Sequence, residues 1–204
     1  FYFIIYLITF KTSECNSLFE VAKILPPLSA DLFFQFVIIP PEFLIIGING
    51  TAGGGGFSLA ITGDIIYSVK SAKFTVAYTN AGLSPDGSST FFLPRIVGMK
   101  RAKELMLTNR IFSAEEALEM NLIDQVLDDQ EQLDQAIEKQ AEIFMKGPKK
   151  AYAGVKKLLN ISFDNGLETQ MDIEGIKISE NAESLDGVEG LKAFSEKRKP
   201  NFNE

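Results

Sequence analysis

The stretch INGTAGGGGFSLA, residues 48–60, decides how this chain is organised. It joins an apolar run, FLIIGI at 43–48, to a segment of helical composition through four consecutive glycines, 53–56. A glycine inside a regular element costs roughly 0.5–1 kcal/mol relative to alanine, so something at this junction requires bare backbone. The pattern predicts a buried strand, a glycine turn and the first residues of a short helix.

The glycine run does not match the two common nucleotide-binding patterns. A dinucleotide fingerprint needs an acidic residue about 20 positions after its glycines, at the end of the next strand. That strand ends in Ser68, Val69 and Lys70, and no G-K-S or G-K-T follows for a phosphate-binding loop. Two interpretations stay open. Backbone N–H groups at a helix start can hold a negative oxygen, and small residues also let a helix pack closely on a strand.

A second stretch, AGLSPDGSST at 81–90, places one carboxylate, Asp86, among small residues. Pro85 and Gly87 on either side favour a tight turn. The alternative is that Asp86 moves a proton. The chain contains no histidine, which excludes every Ser-His and Cys-His nucleophile, so any proton chemistry falls to carboxylates, tyrosines or lysines.

Composition and charge narrow the classes of function. The chain of 204 residues is 46% hydrophobic, enough for a substantial core, and its net charge of −7 disfavours a broad surface for nucleic acid or anionic membrane. The opening apolar run FYFIIYLITF is too short to span a bilayer, and we interpret it as a buried strand of a chain whose true beginning is missing. The single cysteine, Cys15, fits a reducing compartment.

Local cations are the remaining candidates for holding an anionic ligand. One group ends the chain, Lys197 to Lys199, and two pairs precede it, Lys149 with Lys150 and Lys156 with Lys157. Lysine pairs on a helix also commonly form a solvated face, and both interpretations stay open for the two pairs.

The order of elements predicts a layered α/β domain followed by helices. We predict strands at 1–9, 43–48, 65–69 and 73–77, with helices at 28–38 and after the glycines. From residue 100 the pattern is mostly helical. Ser113 with Glu116 forms a capping box, Pro148 starts a helix, and Asp186 with Glu189 is predicted to cap the last helix. One helix face is predicted to carry Leu133, Ile137, Ala141 and Phe144.

Several of these motifs, in this order and spacing, resemble the crotonase family, the enoyl-CoA hydratases and isomerases. The likeness covers about residues 47–127 and is carried by NG, GGG, LPRIVG and SAEEAL, with weaker agreement in GVEGLKAFSEKRKPNF. It implies an α/β fold, a spiral of ββα units over residues 1–110 whose N-terminal part is missing. A mostly helical region over residues 111–204, which mediates trimer formation, would follow.

The resemblance also implies a site. Family members stabilise the enolate of an acyl-CoA thioester with two backbone N–H groups, which here would come from Gly55 and from Ser13 in KTSECN. Glu14 and Asn16 stand there in place of the family's glycine and acid. Hydratases of the family use two glutamates at positions occupied here by Ser58 and Tyr78, which disfavours water addition. Isomerases place one acid in the LSPDG loop, which makes Asp86 the expected proton shuttle.

The expected function is therefore that of a delta-3,delta-2-enoyl-CoA isomerase, with no cofactor besides the CoA thioester substrate. Alternatives are a hydratase or thioesterase of the same family, or an acyl-CoA binder without catalysis. The likeness further implies a homotrimer or dimer of trimers, without nucleic-acid or membrane partners, in the cytoplasm or an organelle lumen. Phe57, Phe91, Phe92 and Leu93 are expected as apolar walls. The expected substrate-binding residues are Ala52, Gly54, Phe57, Tyr78, Leu83, Pro85, Phe91 and Lys197.

Overall fold

The structure is a computed structural model that describes residues 43–202. The strand predicted at 1–9, the helix predicted at 28–38, and Ser13 and Cys15 lie outside the described residues. Within them, residues 43–139 and 140–202 form two compact units.

The first unit contains a parallel sheet of three strands, β1 (Ile45–Ile48), β3 (Ile65–Val69) and β6 (Gln125–Leu127), in the order β1-β3-β6. All four residues of β1 are buried, which confirms the buried strand predicted before the glycines. Two carboxylates fix backbone near the strand starts: Asp64 accepts the N–H of Leu44 at 2.8 Å, and Asp124 accepts that of Ile66 at 2.6 Å.

A second sheet of the same unit contains β2 (Thr51–Gly53), β4 (Lys73–Thr75) and β5 (Phe112–Ser113). Strand β4 lies parallel to β2 and antiparallel to β5. The glycine turn leads from β2 into the short helix α1 (Gly55–Ala60), as predicted. The core beside it is aromatic, because Phe74 stacks on Phe112 at 5.5 Å and Phe57 of α1 meets Phe112 edge-on at 6.2 Å between ring centroids.

Longer helices follow. A 3₁₀ turn (Thr79–Ala81) precedes α2 (Ser89–Thr108), which is kinked at Gly98, where φ is 78° and ψ 154°. Helix α3 (Ala114–Glu119) begins at the predicted cap, because the Ser113 hydroxyl accepts the Glu116 N–H at 3.2 Å. Helix α4 (Gln130–Met145) buries Leu133, Ile137 and Ala141, which confirms most of the predicted face.

The second unit contains α5 (Lys149–Ile161), α6 (Leu167–Ala182) and α7 (Leu185–Ser195). Pro148 caps α5 as predicted. The predicted cap of the last helix is wrong: Ser184 is the N-cap and accepts the Gly187 N–H at 3.0 Å, while Asp186 lies in the first turn. None of the helices in residues 43–202 is long and apolar enough to cross a membrane.

The Ser113 cap generates a stability prediction. Replacing Ser113 by alanine leaves the Glu116 N–H without its acceptor, so we expect the free energy of unfolding to fall by about 0.5–2 kcal/mol in urea denaturation. Ser71→Ala, a matched change at an exposed serine after β3, should stay within about 0.5 kcal/mol of the wild type. Equal losses in both variants would contradict the cap.

Candidate active site

The glycines at positions 53, 54 and 55 differ in whether the structure requires a residue without a side chain. A Cβ at Gly53 would lie 3.3 Å from Cγ2 of Thr75, so close packing on β4 favours glycine there. Gly54 has φ 56° and ψ −128°, a conformation that side chains rarely adopt. At Gly55 a Cβ would meet only the Tyr78 hydroxyl, at 4.0 Å, and φ is not positive. Close packing thus accounts for Gly53, whereas at Gly55 neither packing nor φ requires a glycine.

Gly55 is exposed and is the first residue of α1. Backbone N–H groups in the first turn of a helix have no acceptor within the helix. Nothing in the described residues therefore demands a glycine at position 55. A bare Cα with an N–H beside it suits a group that approaches from outside the chain.

The Asp86 loop forms a turn through its backbone, and the Asp86 side chain makes a separate contact. Gly87 and Ser88 have φ of 59° and 63°, and both the N–H and the hydroxyl of Ser89 donate to the Asp86 carbonyl oxygen, at 3.3 and 3.0 Å. The side chain of Asp86 takes no part in these bonds. Its Oδ1 instead accepts a hydrogen bond of 2.5 Å from the Tyr78 hydroxyl, eight residues earlier. Asp86 itself is an exposed residue.

Tyr78 links Asp86 to the interior. Its hydroxyl also lies 2.8 Å from Oγ of Ser58, which is fully buried in α1. Burial and then the bond to Asp86 raise the pKa of Tyr78 from its ordinary 10.0 to about 12, while the bond to Ser58 acts in the opposite direction. The phenol is therefore neutral near pH 7 and serves as a hydrogen-bond donor rather than as a base.

The segment that follows Tyr78 is anchored on the end of α2. The side-chain amide of Asn109 donates to the Thr79 hydroxyl and, at 3.3 Å, to the Asn80 side chain. The Thr79 hydroxyl in turn donates to the Met106 carbonyl at 3.2 Å. These contacts fix the 3₁₀ turn, and with it the backbone from which the Tyr78 side chain projects.

The other predicted site residues differ in how far they are exposed. Ala52 is buried in β2, and Phe57 and Leu93 are completely buried, so these two expected walls belong to the core. Leu83 is 62% exposed. Pro85 lies between the buried and exposed classes. Phe91 is partly exposed, with the Arg95 guanidinium 3.6 Å from its ring centroid.

Two further predicted residues lie outside the first unit or outside the described residues. Lys197 is an exposed residue of the second unit, after α7, and Ser13 lies outside the described residues. In that second unit, Lys150, Lys157 and Lys177 line a cleft of about 300 Å³ with Glu180 and Asn181. Lys177 is paired with Glu180. Across residues 43–202, the acidic side chains form no group that could hold a metal ion.

The sequence did not reveal that Ser58 is hydrogen-bonded within the cluster. The resemblance marked it only as a replacement for a glutamate, whereas the structure shows it bonded to Tyr78. A signal was present in the sequence, since Ser58 and Tyr78 both carry a hydroxyl group at the two positions where the resemblance led us to expect glutamates in a hydratase. The structure thus brings Gly55, Ser58, Tyr78 and Asp86 together.

The glycine geometry predicts opposite effects for neighbouring substitutions. Gly55→Ala should leave the free energy of unfolding unchanged or raise it by up to about 1 kcal/mol, because alanine favours a helix and meets no obstruction. Gly54→Ala should lower it by about 1–3 kcal/mol, because alanine is strained at this φ. Urea denaturation of both variants measures the difference. Equal destabilisation of the two would show that Gly55 is held by packing.

Comparison with known proteins shows which sequences this chain is similar to. Residues 34–204 match the sequence profile of the family described as Enoyl-CoA hydratase/isomerase. Over 162 residues the chain is 38% identical to the 1,2-epoxyphenylacetyl-CoA isomerase of Escherichia coli, covering 79% of this chain and 62% of that protein. It is 37% identical to a probable enoyl-CoA hydratase of Rhodobacter capsulatus over 168 residues, 82% of this chain and 65% of that one. The chain thus spans less than two thirds of both relatives.

Solved structures give the same result for the fold. A crystal structure of an enoyl-CoA hydratase/isomerase from Cupriavidus metallidurans superposes with a TM-score of 0.78 at 30% identity, covering 85% of this chain and 68% of that one. The enoyl-CoA hydratase of Bacillus anthracis superposes with a TM-score of 0.77 at 31% identity, covering 83% and 65%. The predicted crotonase-like α/β fold is confirmed, and the chain belongs to the enoyl-CoA hydratase/isomerase family.

Proposed function

We propose that the protein isomerises an unsaturated acyl-CoA, moving the double bond of a 3-enoyl-CoA to the 2 position. The observation that carries this proposal is the cluster in which the Tyr78 hydroxyl, bonded to Asp86 at 2.5 Å, lies 4.0 Å from the β position of Gly55. The Asp86 carboxylate and the bare β position of Gly55 thus lie near the same hydroxyl group.

In the proposed reaction, Asp86 takes a proton from C2 of the substrate. The electron pair of the broken C–H bond moves toward the thioester carbonyl, whose oxygen becomes an enolate. The Gly55 N–H, and in our proposal the Ser13 N–H, hold that oxygen. Asp86 then returns the proton to C4, the double bond forms between C2 and C3, and the carbonyl is restored. Proton and electrons balance without any cofactor, so the CoA thioester is the only small molecule required.

The identities of residues 58 and 78 favour isomerisation over hydration. Water addition in this family relies on two glutamates, and their positions hold Ser58 and Tyr78, bonded to each other at 2.8 Å. Neither side chain is an acid that could activate water near neutral pH. The relative named 1,2-epoxyphenylacetyl-CoA isomerase supports the same choice. The relative named a probable enoyl-CoA hydratase supports the alternative, hydration of a 2-enoyl-CoA.

Substrate contacts beyond the reacting atoms are part of the proposal. Leu83 and Phe91, both exposed, are suited to the acyl chain, and Gly54 and Pro85, both partly exposed, to the thioester region, whereas Ala52 is fully buried and does not contact the substrate in this proposal. Lys197 would meet the adenosine phosphates, of the same subunit or a neighbouring one. The helices of residues 140–202 expose large apolar side chains, which supports a homotrimer or dimer of trimers. These side chains include Ile176, Ile178, Leu191 and Phe194.

The proposal predicts the result of removing the acid. With a 3-enoyl-CoA as substrate, formation of the conjugated 2-enoyl thioester should fall by roughly 10²- to 10⁴-fold in Asp86→Asn, because the amide cannot accept the C2 proton. Asp128→Asn, the same change at an exposed acid in the same unit, should keep the wild-type rate.

Equal rates in the wild type and Asp86→Asn would remove this acid from the mechanism. Hydration of a 2-enoyl-CoA at a rate unchanged by Asp86→Asn would instead favour the hydratase alternative. CoA binding in calorimetry without turnover of any enoyl chain would indicate a non-catalytic binder.

A further inference from the structure

The Tyr78 hydroxyl has two partners and a single proton. Oδ1 of Asp86 lies at 2.5 Å and accepts, and Oγ of Ser58 lies at 2.8 Å. Because the phenol proton is committed to the carboxylate, the hydrogen bond with Ser58 requires the serine to donate. The three groups therefore form a directed chain, from the buried Ser58 hydroxyl through Tyr78 to the exposed Asp86.

We propose that Tyr78 is a positioning residue, anchored by Ser58, that occupies Oδ1 of Asp86 so that Oδ2 carries the migrating proton. This inference rests on the proposed isomerisation, and it adds which carboxylate oxygen carries the proton and what prevents the carboxyl from rotating. Hydrogen bonds between a hydroxyl and a carboxylate are short and directional, as the 2.5 Å distance is here.

The backbone of Asp86 does not depend on Tyr78. Two hydrogen bonds from Ser89, at 3.3 and 3.0 Å, already hold the Asp86 carbonyl, and Ser89 is fully buried. The Tyr78 backbone is likewise fixed by its own turn, because its carbonyl accepts the N–H groups of Ala81 and Leu83. The bond between the two side chains is therefore free to set the orientation of the carboxyl group, rather than the path of the chain.

The location of the hydroxyl agrees with this role. Tyr78 is 9% exposed, so its ring is fixed by packing, and its hydroxyl faces the bare β position of Gly55. A carboxyl held by this hydroxyl is kept on the side of the cluster where Gly55 lies. Without the hydroxyl, an exposed aspartate on a turn would be free to occupy several rotamers.

Tyr78→Phe is the decisive variant, because it keeps the ring and removes only the hydroxyl. The test uses a 3-enoyl-CoA carrying deuterium at both C2 positions, in ordinary water, and follows kcat, KM and the fraction of product labelled at C4. We expect kcat to fall about 10- to 100-fold, with KM within about twofold, because the acid is misaligned rather than absent. The labelled fraction should also fall, because a rotating carboxyl exchanges its deuteron with solvent.

Ser58→Ala is the matched comparison. It leaves the Tyr78 donor in place, so its kcat and labelled fraction should lie between those of the wild type and Tyr78→Phe. If Asp86→Asn is inactive while Tyr78→Phe keeps the wild-type kcat and labelled fraction, the positioning role is overturned and the proposed function stands. If Asp86→Asn is fully active, the proposed function fails instead.

A measurement without substrate tests the contact itself. Alkaline ultraviolet titration, with the Tyr78→Phe curve subtracted, isolates the Tyr78 phenol among the five tyrosines. Its midpoint should lie near 12 in the wild type and fall in Asp86→Asn, because the carboxylate favours the protonated phenol, but it should stay above the ordinary 10.0, because burial, the larger cause of the raised pKa, remains. A midpoint that is unchanged in Asp86→Asn would show that the two side chains do not interact, and would overturn the inference whichever reaction is catalysed.

Discussion

The hydrogen bond between Tyr78 and Asp86 is the interaction on which this account of the protein depends. It joins a nearly buried phenol to an exposed carboxylate at 2.5 Å, and Ser58 continues the chain into the core at 2.8 Å. A carboxylate on a glycine-containing turn would ordinarily be a solvated surface group. Here one aromatic side chain, Tyr78, connects the acid to the core and gives it a defined place near Gly55.

Two parallel strands of the fold bring the glycine turn and Tyr78 close together. Strand β2 pairs with β4, so the glycine turn after β2 and the Tyr78 segment after β4 leave the same edge of the sheet. Side chains that follow parallel strands gather at such an edge. The aromatic core around Phe112 packs beside these segments, and the proposed chemistry lies in the segments that follow the two strands.

Local features of the sequence predicted much of the fold. The apolar run before the glycines formed a buried strand, and the Ser113 box formed a cap, because each depends only on neighbouring residues. The cap of the last helix was missed, because Ser184 is followed three positions later by Gly187 rather than by a glutamate or glutamine, which hides the capping pattern.

The site was predicted only in part. Asp86 and Gly55 were expected through the resemblance, but the bonds of Tyr78, which lies near both, to Asp86 and to Ser58, 20 residues earlier, were not predicted. Local patterns do not report such contacts, because they arise from the pairing of strands that are distant in sequence. For the same reason Phe57 and Leu93 were taken as walls of a pocket, whereas both are fully buried in the core. An apolar residue gives the same sequence pattern whether it lines a pocket or packs in the core.

The most direct test of the central claim is a crystal structure with a saturated acyl-CoA bound, a ligand that has the thioester but no double bond to shift. We expect the thioester oxygen about 2.7–3.1 Å from the Gly55 nitrogen, with Oδ2 of Asp86 about 3–3.5 Å from C2 and Tyr78 still bonded to Oδ1. A thioester bound away from Gly55, or a carboxyl of Asp86 turned away from C2, would contradict the account.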